Sequence, residues 1–560
     1  PPVAPTSRRH CAPSPRGFHW QPPQVAQLLV DLENTARDSV DEEDVPEERL
    51  YLGVITTSRA KSGVATLHDG RQRLTVLAMF IAFARDCLPT DRERNQLDRM
   101  LVRRSFGRPP EARLRLSPES RAATQPGCTV MPIAPNSLAA RDIAYNIHPY
   151  TNLRVHEQQG PLVITEGRGV FVKDDDGKEY IEGLAGLWGT SLGFNNKRLG
   201  EAARRQMEAP PYMHPFAHRS AEPVGELAGE LMGMAPKPLQ KSLFVNSGSE
   251  AIDTAIKLIW YYNNARGKPE KKRIIARRRA YHGITLAAGH LTGLPYARAG
   301  FDLPMSDRFF HVTPPSHYRE ALPGESEAAF TDRLAQEVET LILALGPETV
   351  AAFFAEPVQG AGGVIVPPAD YFRKIQPILK KYDVLMVADE VICGFGRTGN
   401  MFGSDAFEIA PALMTIAKQL SSAYLPIAGL LMSEAFYDVL ADQTQKLGML
   451  GMGYTYGGHP ASAAVALETL KIYEEEDTVG HVRSVAGRFQ ERLQRLAEHP
   501  LVGEARGIGL IGAIEIVADK ATKAQYPAAA KAAAIVAGNC LPHGLILRAV
   551  GESHDAAHAL

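Results

Sequence analysis

Lys418 follows the apolar run Leu413-Met-Thr-Ile-Ala. A lysine held in a desolvated strand mouth loses basicity and becomes a nucleophile toward carbonyl carbon. A solvated lysine at a strand end is the plain alternative. Upstream, Val387-Ala-Asp-Glu-Val places Asp389 and Glu390 at the end of another apolar run. A carboxylate there is costly unless partnered, and it suits a protonated ring nitrogen. A metal site or an ion pair would also use it, although no histidine or acid cluster lies near it in sequence. Asn246-Ser-Gly-Ser-Glu-Ala opens a helix directly after a strand. Gly248 lets backbone approach an anion, the helix start supplies free amides, and Ser249 adds a hydroxyl; the same residues also read as a capping box with Glu250. In Tyr281-His282-Gly283 the aromatic ring can lie flat over a heteroaromatic one, and Gly453-Tyr-Thr-Tyr-Gly-Gly-His-Pro is a hydroxyl-bearing turn before a helix.

These residues need elements to hold them. Ser242-Leu-Phe-Val, Val350–Ala355, Val384–Ala388 and Leu413–Ala417 read as short buried strands. Between them, Ile252, Ala255, Ile256 and Ile259 share one helical stripe, as do Tyr371, Ile375, Ile378 and Leu379. That alternation predicts an α/β fold with a mostly parallel central sheet covered by helices. Ligands in such folds bind beyond the carboxyl ends of the strands, where the reactive residues fall.

A phosphate cradle, a ring-nitrogen carboxylate, a stacking aromatic and an imine-forming lysine together describe one ligand, pyridoxal 5′-phosphate. Residues 145–551 resemble a class III aminotransferase of the fold-type I superfamily, close to the ω-amino acid:pyruvate transaminases. The resemblance is carried by Trp188, Asn246–Ala251, Tyr281-His-Gly, Glu356-Pro-Val-Gln-Gly, Asp389-Glu-Val-Ile-Cys-Gly-Phe-Gly-Arg, Lys418, Thr455 and Gly507-Ile-Gly-Leu. It implies that Lys418 carries the internal aldimine and that Asp389 bonds the pyridinium nitrogen. Tyr281 and Val391 would pack the two ring faces, with His282 in the same cofactor-binding stretch. Gly248 and Ser249 would hold the phosphate, and Glu356 would lie beside the cofactor. Thr455 would reach the phosphate of a neighbouring subunit, so the site would be shared across a homodimer. Trp188 would shape the small-substituent pocket. Arg548 would be the mobile arginine that binds an acceptor's carboxylate. The implied activity is ping-pong transfer of an amino group from an ω-amino acid or amine to pyruvate or another keto acid. A fold-related aminomutase or decarboxylase, or an inactive fusion relic, is the alternative. Gln419 and Met452 depart from the family's usual glycine and histidine. The chain also ends where family members continue with a further strand and helix of the small domain.

The 560 residues carry 61 basic and 63 acidic side chains, so no global charge favours nucleic acid or an anionic membrane. The longest apolar run, Leu74–Ala84, falls short of the ~20 residues a span needs and is closed by Arg85 and Asp86. Cys11, Cys87, Cys128, Cys393 and Cys540 are few and scattered, which argues against a disulfide scaffold or zinc ribbon and for the cytoplasm. No metal site is expected.

Residues 1–130 hold 18 Arg but only Lys61 among lysines, whereas the rest carries 24 Arg and 18 Lys. The seam reads as a linker or as two joined reading frames. The first residue is Pro1, so an incomplete N-terminus is expected, opening on a disordered leader or a transit peptide. Val25, Leu28, Leu29 and Leu32, then Leu74, Leu77, Ile81 and Ala84, suggest helices around a strand at Tyr51–Thr57. Asp69, Gly70, Gln72 and Arg73 match the Asp-Gly-x-Gln-Arg signature of the DUF262 family, a ParB-like fold linked to nucleotide-dependent restriction. A capped turn is the simpler reading of those residues. The expected organisation is residues 1–130 as this fragment and linker, 131–187 as an N-terminal aminotransferase segment, 188–458 as the large cofactor-binding domain, and 459–560 as an incomplete small domain.

Overall fold

The computed structural model describes residues 136–551, together with the backbone of three short strands nearer the N-terminus. The chain divides at Thr129/Val130 into two units. In the first, β1 (Glu48–Leu52), β2 (Ile55–Arg59) and β3 (Ala65–Leu67) form an antiparallel sheet in that order. Leu52 pairs with Ile55 in an antiparallel ladder, so the residues expected as one strand over 51–57 belong to two paired strands. The DUF262-like signature, the two expected helices and Leu74–Ala84 lie outside the described residues.

The second unit opens with two helices. Ser137 caps Leu138–Tyr145 by accepting from the Ala140 amide, and Asn152 caps Leu153–Gln159. Strands β4 (Ile164–Arg168), β5 (Phe171–Asp174) and β6 (Glu179–Glu182) follow. The central sheet uses β7 (Leu239–Val245), β8 (Arg273–Arg277), β9 (Phe309–Val312), β10 (Val350–Ala355), β11 (Leu385–Asp389), β12 (Leu413–Ile416) and β13 (Ala428–Ser433). Its order is β7-β13-β12-β11-β10-β8-β9, and only β13 runs against its neighbours. A hairpin of β14 (Val502–Ile508) and β15 (Ile511–Ile516) comes later. Finally β16 (Leu545–Ile546) pairs in parallel with β6, closing a four-stranded sheet β16-β6-β5-β4 from the two ends of this unit.

Every residue of β10 is buried, as a strand covered on both faces requires. Ala352 and Phe354 pack with Ile252, Ala255, Ile256 and Ile259 of the helix Gly248–Ala265. Phe353 and Ala355 face the other way, toward Phe330 and Leu334 of the helix Glu327–Leu345 and Tyr371, Ile375 and Leu379 of the helix Tyr371–Lys381. This is the doubly covered, mostly parallel sheet of the fold-type I architecture. Its parallel strands end together, so the segments that leave them share one edge.

Candidate active site

Five of the singled-out segments meet at that edge. Gly248 and Ser249 come just after β7, Tyr281 and His282 after β8, and Glu356 after β10. Asp389 is the last residue of β11, and Lys418 lies just past β12. A cavity of about 160 Å³ is lined by Gly248, Ser249, Tyr281, His282, Glu356, Asp389, Val391 and Lys418, with Leu187, Ser247, Gly283, Ile392 and Ala417.

Asp389 is 3% exposed, and its oxygens are fixed from three sides. Oδ2 lies 2.8 Å from His282 Nδ1, while Oδ1 accepts from Thr415 Oγ1 at 3.1 Å and the Val391 amide at 3.1 Å. No histidine lies near Asp389 in sequence, but β8 and β11 flank β10, which brings the distant His282 onto it. Glu356 Oε1 accepts from the Tyr281 amide and Oε2 from the Gly360 amide, both at 3.0 Å, and burial raises its pKa to about 6. The carboxylate therefore anchors the turn that carries Tyr281.

Desolvation lowers the Lys418 pKa to about 8, even though Asp389 and Glu356 pull the other way. Its backbone is in the left-handed region at φ 51°, a strained conformation for a non-glycine residue. Lys418 Nζ stands 5.6 Å from the centre of the Trp188 ring, and the Arg548 guanidinium stands 5.1 Å from the same ring. Trp188 sits on an irregular turn in which Ala185, Leu187 and Trp188 all have positive φ. Arg397 Nη2 donates to the Trp188 carbonyl at 2.9 Å, and Arg397 Nε to that of Ile392 at 3.0 Å.

At the other end, Ser247 Oγ accepts from the Glu250 amide, and Glu250 reaches back to the Asn246 amide at 2.7 Å. The serine half of the capping box is present, while Glu250 accepts from the residue before the cap rather than from Ser247 itself, and the same turn borders the cavity. A helix start has amides without intrahelical acceptors; those of Gly248 and Ser249 belong to residues on the cavity wall. A Cβ on Gly248 would stand 3.2 Å from both Val391 methyls, and one on Gly283 would stand 2.5 Å from Ser249 Oγ. Both glycines leave room that any side chain would fill. A buried carboxylate, a desolvated amine, Tyr281 and Val391 on the wall of one cavity and a helix start beside them together fit pyridoxal phosphate.

Three expected residues, Trp188, Thr455 and Arg548, lie apart from the cavity wall. Thr455 is exposed, its carbonyl accepting from Tyr212 Oη at 2.7 Å. Arg548 is half-buried beside Trp188 and reaches Tyr296. Sequence reasoning missed Thr415, Arg397 and Tyr150. Tyr150 Oη lies 3.0 Å from Tyr281 Oη, and the two rings of Tyr150 and Tyr296 meet edge to face. A tyrosine in an irregular segment carries no periodic signal. Gln419 is buried and donates to the Gly394 carbonyl.

Residues 153–554 match the family model described as aminotransferase class-III. The chain is 49% identical over 394 residues to gamma aminobutyrate transaminase 1, mitochondrial, of Solanum lycopersicum, covering 70% of this chain and 76% of that protein. It is 48% identical, over the same length, to the probable gamma-aminobutyrate transaminase 3, mitochondrial, of Oryza sativa subsp. indica, with 70% and 77% covered. Among solved structures, the ω-transaminase from Pseudomonas jessenii in complex with PMP is 53% identical with a TM-score of 0.73, covering 76% of this chain and 92% of that one.

Proposed function

The chain belongs to the class III aminotransferases and uses pyridoxal 5′-phosphate, and on that premise we propose that it moves an amino group from an ω-amino acid or amine to pyruvate or a similar keto acid in a ping-pong cycle. The observation that carries this reading is the single cavity shared by desolvated Lys418 and the triply held Asp389.

When bound, pyridoxal phosphate supplies an aldehyde carbon for amines and a protonated ring that draws electrons from the adjacent carbon. Asp389 holds the proton on the ring nitrogen, and His282 and Thr415 keep its oxygens from turning away. Gly248 and Ser249 bind the phosphate with amides and hydroxyl. Tyr281 and Val391 fix the ring plane. Lys418 Nζ takes a proton from the substrate carbon and returns one, a task suited to an amine whose pKa is about 8. Trp188 limits the bulk of one substituent, and Arg548 beside it binds the acceptor's carboxylate in two-pronged fashion. The likeness to γ-aminobutyrate transaminases supports an ω-amino acid donor.

Exposed Thr455, with exposed Leu187, Ile284, Leu286 and Phe301, supports a homodimer in which Thr455 serves the partner's site. Native mass measurement tests that. Cytoplasmic residence rests on cysteine usage, and cell fractionation tests it. No helix of the described residues is long and apolar enough to cross a membrane. The DUF262-like signature around Asp69 remains a separate proposal: nucleotide hydrolysis by the intact chain, lost in Asp69→Asn, would support it.

The decisive experiment incubates the purified protein with pyruvate and γ-aminobutyrate, β-alanine or an aryl-alkylamine and measures alanine. Alanine formed in proportion to donor consumed supports transamination. Donor loss without alanine would point to a decarboxylase or aminomutase instead.

A further inference from the structure

Away from the cavity, the helices Leu138–Tyr145 and Leu153–Gln159 bring three potential ligands together. Asp142 lies on the first helix, His148 in the connection and His156 on the second. Asp142 Oδ2 is 2.5 Å from His148 Nε2 and 3.4 Å from His156 Nε2, and the three atoms lie within 4.8 Å of one another. The imidazoles are tilted by 30° with centres 4.0 Å apart. His156 is only 8% exposed, and its Nε2 has no hydrogen-bond partner among the described residues. Asp142 and His148 keep about a quarter of their side-chain surface open, which leaves an entry path. Asn146 Nδ2 donates to Asp142 Oδ1 at 2.9 Å.

A buried imidazole nitrogen without a partner is unfavourable. Asp142 Oδ2 is engaged by His148, and His156 Nε2, 3.4 Å away, makes no hydrogen bond to it. Three electron-pair donors that converge in this way suit a cation. Zinc with ligands at about 2.0–2.2 Å in a tetrahedron spaces neighbouring donor atoms by about 3.3–3.6 Å. His156 and Asp142 already stand at 3.4 Å; His148 must withdraw by about 1 Å, which rotation of a partly exposed side chain supplies. Imidazole nitrogens select zinc and its neighbours over calcium and magnesium, which demand oxygen. The Asn146 amide on the second carboxylate oxygen is the outer contact that orients a ligating aspartate.

We propose that Asp142, His148 and His156 bind one divalent transition-metal cation of the zinc class, with water completing the shell. None of the three residues lines the cavity, so the ion serves no step of the transamination. It clips together the two helices that bracket Tyr150, whose hydroxyl meets Tyr281.

The test dialyses metal-stripped, cofactor-loaded full-length protein against zinc and counts metal per chain by mass spectrometry. One zinc per chain is expected, with affinity about 100-fold weaker in His148→Gln and His156→Gln and about tenfold weaker in Asn146→Ala. Cobalt in place of zinc should give the intense visible bands of a four-coordinate ion, absent in His156→Gln. The cofactor's own absorbance in each variant reports folding. Should His156→Gln fail to fold, exposed Asn146→Ala carries the test. No bound zinc, or zinc held equally by wild type and the variants, overturns the proposal and leaves a proton-held Asp142–His148 pair.

Discussion

Gly248 and Gly283 both line the cavity, and alanine at each should fail in a different way. At Gly283 a Cβ would lie 2.5 Å from Ser249 Oγ and 2.9 Å from Ser249 Cα, with φ at +120°. Rotating the serine hydroxyl cannot relieve the backbone contact. The conformation costs a non-glycine residue about 1–3 kcal/mol, and overpacking adds about 1–3 kcal/mol. A total of about 2–6 kcal/mol in a unit of this size corresponds to a fall in Tm of about 2–7 °C. At Gly248 the Cβ would meet only two Val391 methyls at 3.2 Å, and no positive φ is involved. The helix gains up to about 1 kcal/mol from alanine, so cofactor-free stability should stay within about 1 kcal/mol of wild type. The added methyl nevertheless occupies the cradle. A clash of about 1–3 kcal/mol with bound phosphate weakens cofactor affinity by about 5–150-fold. The assays are thermal unfolding of cofactor-free protein and a cofactor titration followed by absorbance. Wild-type cofactor affinity in Gly248→Ala would refute the phosphate cradle, and an unshifted Tm in Gly283→Ala would refute the packing described around Ser249.

Four further outcomes are expected at the site. Because burial penalises the charged form of Lys418, the reactive neutral amine should be half populated at about pH 8; cofactor capture by the cofactor-free protein should rise with pH and level off above that value. A rise continuing through pH 10, as for a solvated lysine, would contradict it. Lys418→Ala should keep the fold but lower turnover by about 10²–10⁴-fold, read in single-turnover alanine formation. Arg548→Ala should raise KM for the keto acid by about 10–150-fold, the loss of a charge-assisted bond, while leaving KM for an uncharged-tail amine near wild type; equal loss for both would assign Arg548 to structure alone. Tyr150→Phe removes a bond worth about 0.5–1.5 kcal/mol on Tyr281 and should weaken cofactor binding by about 2–12-fold, measured by titration.

Much of this molecule was legible in one dimension. Buried parallel strands read as continuous apolar runs, so β10, β11 and β12 stood out, and the amphipathic stripes of the helices Gly248–Ala265 and Tyr371–Lys381 emerged from a 3.6-residue period. Lys418, Asp389 and the Ser247–Ser249 turn were legible because each adjoins such a run. Residues without a period to betray them could be placed only by the folded chain. His282 reaches Asp389 because β8 and β11 both flank β10, Tyr150 reaches Tyr281 from an irregular segment, and Arg397 crosses to the Trp188 carbonyl. The pairing of Leu52 with Ile55 escaped for a related reason: two short strands close together in sequence look like one longer strand. Local sequence thus determined which residues stand at the strand ends and which elements bear them, since periodicity and burial are short-range properties. Which side chains share a hydrogen bond was decided by sheet order, through crossovers that no local pattern encodes.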